Sequence, residues 1–212
     1  MLGYHRQPSS PELAADPIVQ ANQASFWFAY AYDKTFSLRF GRSSMVRDDD
    51  ITIARTLGPA ITVNPAWRPL FDHWVMHAEF AGKVYDQLYT PVALARPPAE
   101  RAEVARTLII KLEELKAKMT TDRESMGIRG PTRPSDADAD PDPFSIHMSV
   151  YTDDVLLFSA TCLVYRALPN DTTVPGNLYP GCVEAARMAF QRHFECMRLA
   201  GDILIMSGYI NW

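Results

Sequence analysis

Cysteine is scarce: the 212 residues hold only Cys162, Cys182 and Cys196. Three widely spaced thiols make neither a disulfide framework nor a metal knuckle, and they point to a reducing compartment. A basic surplus is also missing. With 21 Lys and Arg against 25 Asp and Glu, the formal net charge is −4, so nothing advertises contact with a phosphate backbone. The start, MLGYHRQPSSPEL, lacks an apolar secretory core, and the longest apolar run, Val155–Val164, is broken by Ser159, Thr161 and Cys162. It is too short to span a bilayer. These absences argue against a disulfide scaffold, an autonomous nucleic-acid binder and a membrane protein, and predict a soluble, intracellular chain.

What is present is apolar bulk: 47% of residues are hydrophobic and 22% charged, enough for one globular domain or a large part of one. The patterning is helical throughout, with no convincing alternating strand, so the predicted fold class is all-α. Gln20 to Phe40 carries Phe26, Trp27, Phe28, Tyr30, Tyr32, Phe36 and Phe40 and reads as a helix buried all round, closed by Gly41. A helix from about Pro69 to Leu88 follows, then one from Pro98 to about Met126. The second has Val104, Leu108, Leu112, Leu115 and Met119 as its apolar stripe, opposite Arg106, Lys111, Glu114 and Lys118. Residues 127–143, with four aspartates and four prolines, predict an acidic mobile surface loop. Phe144–Leu168 reads as a buried helix. Cys182–Ala200 reads as an amphipathic one that buries Val183, Ala186, Phe190, Phe194 and Met197 and stops at Gly201. A separate apolar segment, Ile203–Trp212, closes the chain.

Candidate chemistry is thin. His73 and His77, four apart on one helix, have the spacing of two metal ligands but no third with recognisable spacing. His193 and Cys196, with Cys182 on the same helix, could form a thiolate–imidazole pair, but no orienting group accompanies them. Asp48-Asp49-Asp50 could attract magnesium, yet Arg39, Arg42 and Arg47 precede it and ion pairing explains it equally. Gly41-Arg42-Ser43-Ser44 fails as a P-loop, and no GxSxG elbow exists. The reading is therefore no catalytic residue and no metal site, with packing as the expected role of these groups.

The informative stretch is Phe26 to Ile53, which contains Phe26-Trp27, Tyr30, Asp33-Lys34, Ser37-Leu38-Arg39-Phe40-Gly41-Arg42-Ser43-Ser44 and Asp48-Asp49-Asp50-Ile51. It resembles the signature of the fungal-specific transcription factor domain, the middle homology region of Zn2Cys6 zinc-cluster transcription factors. Leu2 to Arg6, Cys182 to Arg187 and Tyr209-Ile210-Asn211-Trp212 look similar to other segments of that domain, in order. The resemblance implies that residues 1–212 are a partial multi-helix regulatory domain, cut at both ends, of a nuclear protein. It places zinc and DNA binding in a Zn2Cys6 module, which this chain lacks, so no cofactor is expected here. A small hydrophobic effector seated among Trp27, Tyr30 and Trp74, and a homo- or heterodimer, are its implied partners; no membrane is.

The signature residues Phe26, Trp27, Asp33, Arg39, Gly41, Arg42, Ser44, Asp48 and Asp50 are expected to be architectural. Buried charge must be paired, and Arg39 and Arg42 are expected to pair with Asp33 or with Asp48 and Asp50. Two other readings remain: a stand-alone enzyme or small-molecule binder on the same scaffold, and an interfering partner that dimerises through the apolar end near Trp212.

Overall fold

The structure is a computed structural model that describes residues 3–61, 67–127, 143–169 and 178–206, with side chains described outside 143–145 and 201–206. Among them are seven α-helices and no strand: α1 Pro11–Ala15, α2 Pro17–Phe40, α3 Trp67–Val84, α4 Pro91–Leu94, α5 Pro98–Ser125, α6 Pro143–Arg166 and α7 Pro180–Met206. The chain forms two compact units, Met1–Pro97 and Pro98–Trp212. Every helix except α3 begins with proline, whose missing N–H costs nothing at a helix start.

In the first unit, α2 packs on α3. Asp16 caps α2 by accepting the Ile18 N–H at 2.7 Å. At the other end Gly41 takes φ 63°, and the Arg42 N–H reaches back to the Ser37 carbonyl at 3.0 Å, a left-handed glycine cap. The C-terminal turn of α3 widens into a π turn over Tyr85–Tyr89, where the Thr90 N–H reaches the Tyr85 carbonyl at 3.1 Å. The core joins Ala24, Trp27 and Tyr30 of α2 to Phe71, Val75 and Ala78 of α3, with Ile53 and Leu57 from the loop between.

The expectation that α2 is buried all round does not hold. Its buried face is Gln20, Ala24, Trp27, Tyr30, Lys34, Ser37 and Leu38, the three- and four-residue spacing of one helical stripe. Tyr32, Phe36 and Phe40 lie outside and stack on one another with centroids 5.8 and 5.9 Å apart. Aromatics so dense hide the stripe from a count of apolar residues.

In the second unit, α5 buries Ala102, Ala105, Leu108, Leu112, Leu115 and Met119, nearly the predicted stripe; Val104 is half-buried. The antiparallel pair α6–α7 sets Cys162 against Cys182, Tyr165 against Gly181 and Met148 against Cys196. Here two expectations are overturned. First, α7 runs through Gly201 to Met206; a single glycine costs about 1 kcal/mol in a helix and does not by itself end one. Second, Val183, Phe190, Phe194 and Met197 face outward. The face turned to α6 holds Cys182, Ala185, Arg192 and Cys196 instead. The acidic segment lies outside the described residues apart from Gly127 and Pro143, as do residues 207–212 of the closing segment.

Candidate functional site

The signature segment forms one structure in the first unit: the second half of α2, its glycine cap, the loop that follows, and the facing side of α3. The loop is bound to α2 at successive points. Trp27 donates its indole N–H to the Ala54 carbonyl at 2.9 Å. Asp33 accepts the backbone N–H groups of Met45 and Val46 at 2.8 and 3.0 Å through one carboxylate oxygen. Ser44 donates its hydroxyl to the Val46 carbonyl at 3.2 Å. Asp48 opens a 3-10 turn, Asp48–Asp50, and its Oδ1 receives both the Lys34 ammonium at 2.9 Å and the Tyr30 hydroxyl at 3.0 Å.

Lys34 is the buried charge that this arrangement serves. Its side chain is 3% exposed and its ammonium lies 5.4 Å from the Tyr30 ring centre, a distance at which a cation gains from the ring face. Gly82 on α3 admits it, since a Cβ at that position would stand 3.0 Å from Lys34 Cδ. Burial, and then the charge of Asp48, push the Tyr30 hydroxyl far above the ordinary phenol range. At the rim, Glu79 of α3 pairs with Arg55 of the loop at 2.7 Å. Burial raises the Glu79 carboxyl above its usual value despite Arg55 and Lys83.

The expected pairing of Arg39 and Arg42 is corrected. Among the described residues neither makes an ion pair; both are exposed, and Arg42 lies over the Phe40 ring at 5.8 Å. Asp33 spends its carboxylate on backbone N–H groups, and Asp48 spends its on Lys34, whose side chain is buried. Arg47 stands 3.9 Å from Asp49 in solvent, and Asp50 is exposed. Phe26 is half-buried and meets His5, Trp27 and Tyr30 at 5.8, 5.4 and 6.3 Å.

The aromatic cluster fills its own space. Trp27 and Tyr30 are each 1% exposed and meet edge to face at 5.3 Å, while Trp74 packs on Phe28 and Trp67. An open cleft of about 660 Å³ lies elsewhere in this unit, lined by residues that include Gln7, Pro8, Ser10, Ala14, Gln20 and Ala60. Gln20 spans its floor, donating to the Ala14 carbonyl at 3.0 Å and accepting the Ala60 N–H at 2.7 Å.

The remaining candidates are not brought together. His73 and His77 are buried in α3, and among the described residues no group of three or more His, Cys, Asp or Glu could hold a metal. His193 is exposed beside Phe194. Cys196 meets Met148 at 3.5 Å. Cys162 and Cys182 each approach the other's carbonyl, at 3.6 and 3.9 Å, and burial pushes the Cys162 thiol up to about 11, which makes it a poor nucleophile.

Sequence reasoning missed a second ionic centre. In the second unit Asp154 of α6 is held at 2.6 Å by Arg123 of α5 and at 3.1 Å by Arg192 of α7, which also holds Glu195 at 2.7 Å. Asp153, 2% exposed, lies 3.6 Å from the same Arg123. An Asp-Asp pair interrupting an apolar helix was the available signal, because a charge there must find partners. Compared with protein-family models, with curated proteins and with solved structures, the chain matches none of them.

Proposed function

We propose that the chain is a regulatory domain of the fungal zinc-cluster transcription factor type, acting in the nucleus and contacting DNA only through a separate Zn2Cys6 module. The observation that carries this reading is the signature segment. Its residues Trp27, Asp33, Lys34, Gly41, Ser44 and Asp48 are all used in one brace between a helix and its following loop. These residues do architectural work, which supports a resemblance carried by fold rather than by chemistry.

The test joins the chain between a heterologous zinc-cluster DNA-binding module and an activation segment in a fungal reporter strain. The chain is expected to lower reporter output, and Asp48→Ala, which frees the loop, to restore it. Equal output with and without the chain, or exclusion of a fluorescent fusion from the nucleus, overturns the reading.

The cleft beside Gln20 favours one alternative, a stand-alone small-molecule binder or enzyme on this scaffold. Ligands that bind the folded state raise its apparent stability. A thermal-shift screen with small hydrophobic metabolites checks this reading. A rise that Gln20→Ala abolishes would support it, and no rise across the screen would remove it.

A further inference from the structure

The second unit turns the most apolar stripe of its last helix away from its own core. Val183, Phe190, Phe194 and Met197 are 40%, 67%, 68% and 56% exposed. They lie on one line: Val183, Phe190 and Met197 are seven apart, and Phe194 is four beyond Phe190. At about 100° per residue this line lies roughly 135° around the helix from the face that meets α6. Two phenyl rings in solvent within four residues of each other are a contact surface rather than scattered apolar exposure.

We propose that this face pairs antiparallel with α7 of a second copy of the chain, across a two-fold axis at Gln191. The charges beside the stripe select this occupant and this direction. Glu184, Arg187, Gln191 and Arg198 are all exposed and lie along one flank of it, while the other flank holds Ala186 and His193. In an antiparallel pair each flank meets the same flank of the partner. With Gln191 on the axis, Glu184 and Arg198 lie seven residues to either side, so each Glu184 faces the partner's Arg198 twice over by symmetry. Gln191 then meets its own copy, and the Phe190 and Phe194 rings of the two helices interleave. A parallel pair would set the charged flank against Ala186 and His193, stack Phe190 on Phe190, leave Glu184 only the Arg187 of its own helix at 2.7 Å, and bring no acidic side chain to Arg198.

The contact is small. Four apolar and four polar side chains along about four helical turns cover roughly half of the 800 Å² per partner found in stable complexes, so the dimer is weak and depends on concentration. The pairing does not rest on the transcriptional reading and holds or falls apart from it.

Sedimentation velocity on the whole chain, from about 1 µM to about 500 µM, brackets an interface of this size. The expected result is a shift from monomer to dimer across that range. Phe194→Glu should weaken association by about tenfold or more and leave helical circular dichroism unchanged, because the side chain is already in solvent. Glu184→Arg and Arg198→Glu should each weaken association, and the double variant should recover it. A monomer throughout, a dimer indifferent to Phe194→Glu, or a double variant no better than the singles overturns the proposal.

Discussion

In the first unit the buried charge is one ammonium, Lys34, answered by one carboxylate, Asp48, and one phenol, Tyr30. In the second it is a carboxylate, Asp154, gripped by two guanidinium groups from two other helices. The first brace ties a loop to a helix, and beside it Trp27, Tyr30, Phe71 and Val75 bury enough ring and chain to hold α2 to α3. At about 1.5–3 kcal/mol for each large apolar side chain, that core outweighs any single ion pair. The second brace ties α5, α6 and α7, where the α6–α7 contact also sets Tyr165 on Gly181 and Met148 on Cys196. There the ionic clamp joins three helices through one carboxylate, where the first joins a loop to one helix. The difference predicts that the same chemical injury, loss of one aspartate, has unlike consequences in the two units.

Asp154→Ala should be the larger injury. It removes both cross-helix ion pairs at once from Arg123 and Arg192, whose side chains are only 14% and 21% exposed, leaving Arg123 the longer contact to Asp153 and Arg192 only Glu195 on its own helix. Breaking a largely buried pair from one side costs about 3 kcal/mol. Hydrogen exchange should quicken across α5, α6 and α7 and stay unchanged in α2 and α3. Equal quickening in both units would break the comparison. Asp48→Ala should cost about 2 kcal/mol, because the Asp48 side chain is 38% exposed and water can enter to solvate Lys34. Its exchange should rise mainly in the loop from Arg42 to Leu57. Adding Lys34→Met to Asp48→Ala should recover most of the loss, since an apolar side chain of similar volume needs no counter-charge; chemical denaturation of the single and double variants measures this.

The two regions were also unequally legible. The helices stood out because periodicity and proline starts are local properties, and Leu108, Leu112, Leu115 and Met119 could be assigned to the core from spacing alone. In α2 the signature located the brace but not its partners. Arg39 and Arg42 look like the natural cations for Asp48, yet the glycine cap turns the chain so that both remain in solvent, and Lys34, three residues before Ser37, faces inward. Which cation is buried depends on helical phase against a partner helix, which is long-range information. The same holds in α7. Two faces of it can bury something, one apolar and one of small residues with Arg192, and only the position of Asp154 on α6 decides between them.

The comparison can be sharpened by pH at the rim of the first brace. Burial, outweighing Arg55 and Lys83, makes the Glu79 carboxyl hold its proton above the ordinary carboxylate range. A folded-state pKa raised above the unfolded one contributes stability that is full below the unfolded value and lost as pH rises through the folded value. Unfolding free energy should therefore decline slightly as pH climbs upward from about 4.3, the ordinary glutamate value. Glu79→Gln should flatten that decline and change stability near neutrality by less than about 1 kcal/mol, because the Arg55 left behind is 62% exposed and solvated. Urea titrations of both proteins between those pH values measure it, and an unaltered slope would place the proton elsewhere.

The smallest effect is the one that separates brace from surface. Arg42 shares the signature with Asp48, but its guanidinium lies over Phe40, a ring that is itself 70% exposed. An exposed cation–π contact adds about 0.5–1 kcal/mol at most, and surface substitutions away from buried features usually stay within about 0.5 kcal/mol. Arg42→Ala should therefore leave the melting temperature nearly unchanged where Asp48→Ala lowers it. If Arg42→Ala cost as much as Asp48→Ala, the arginine rather than Lys34 would be the cation that Asp48 serves, and the first unit's brace would have to be redrawn around the loop instead of the helix.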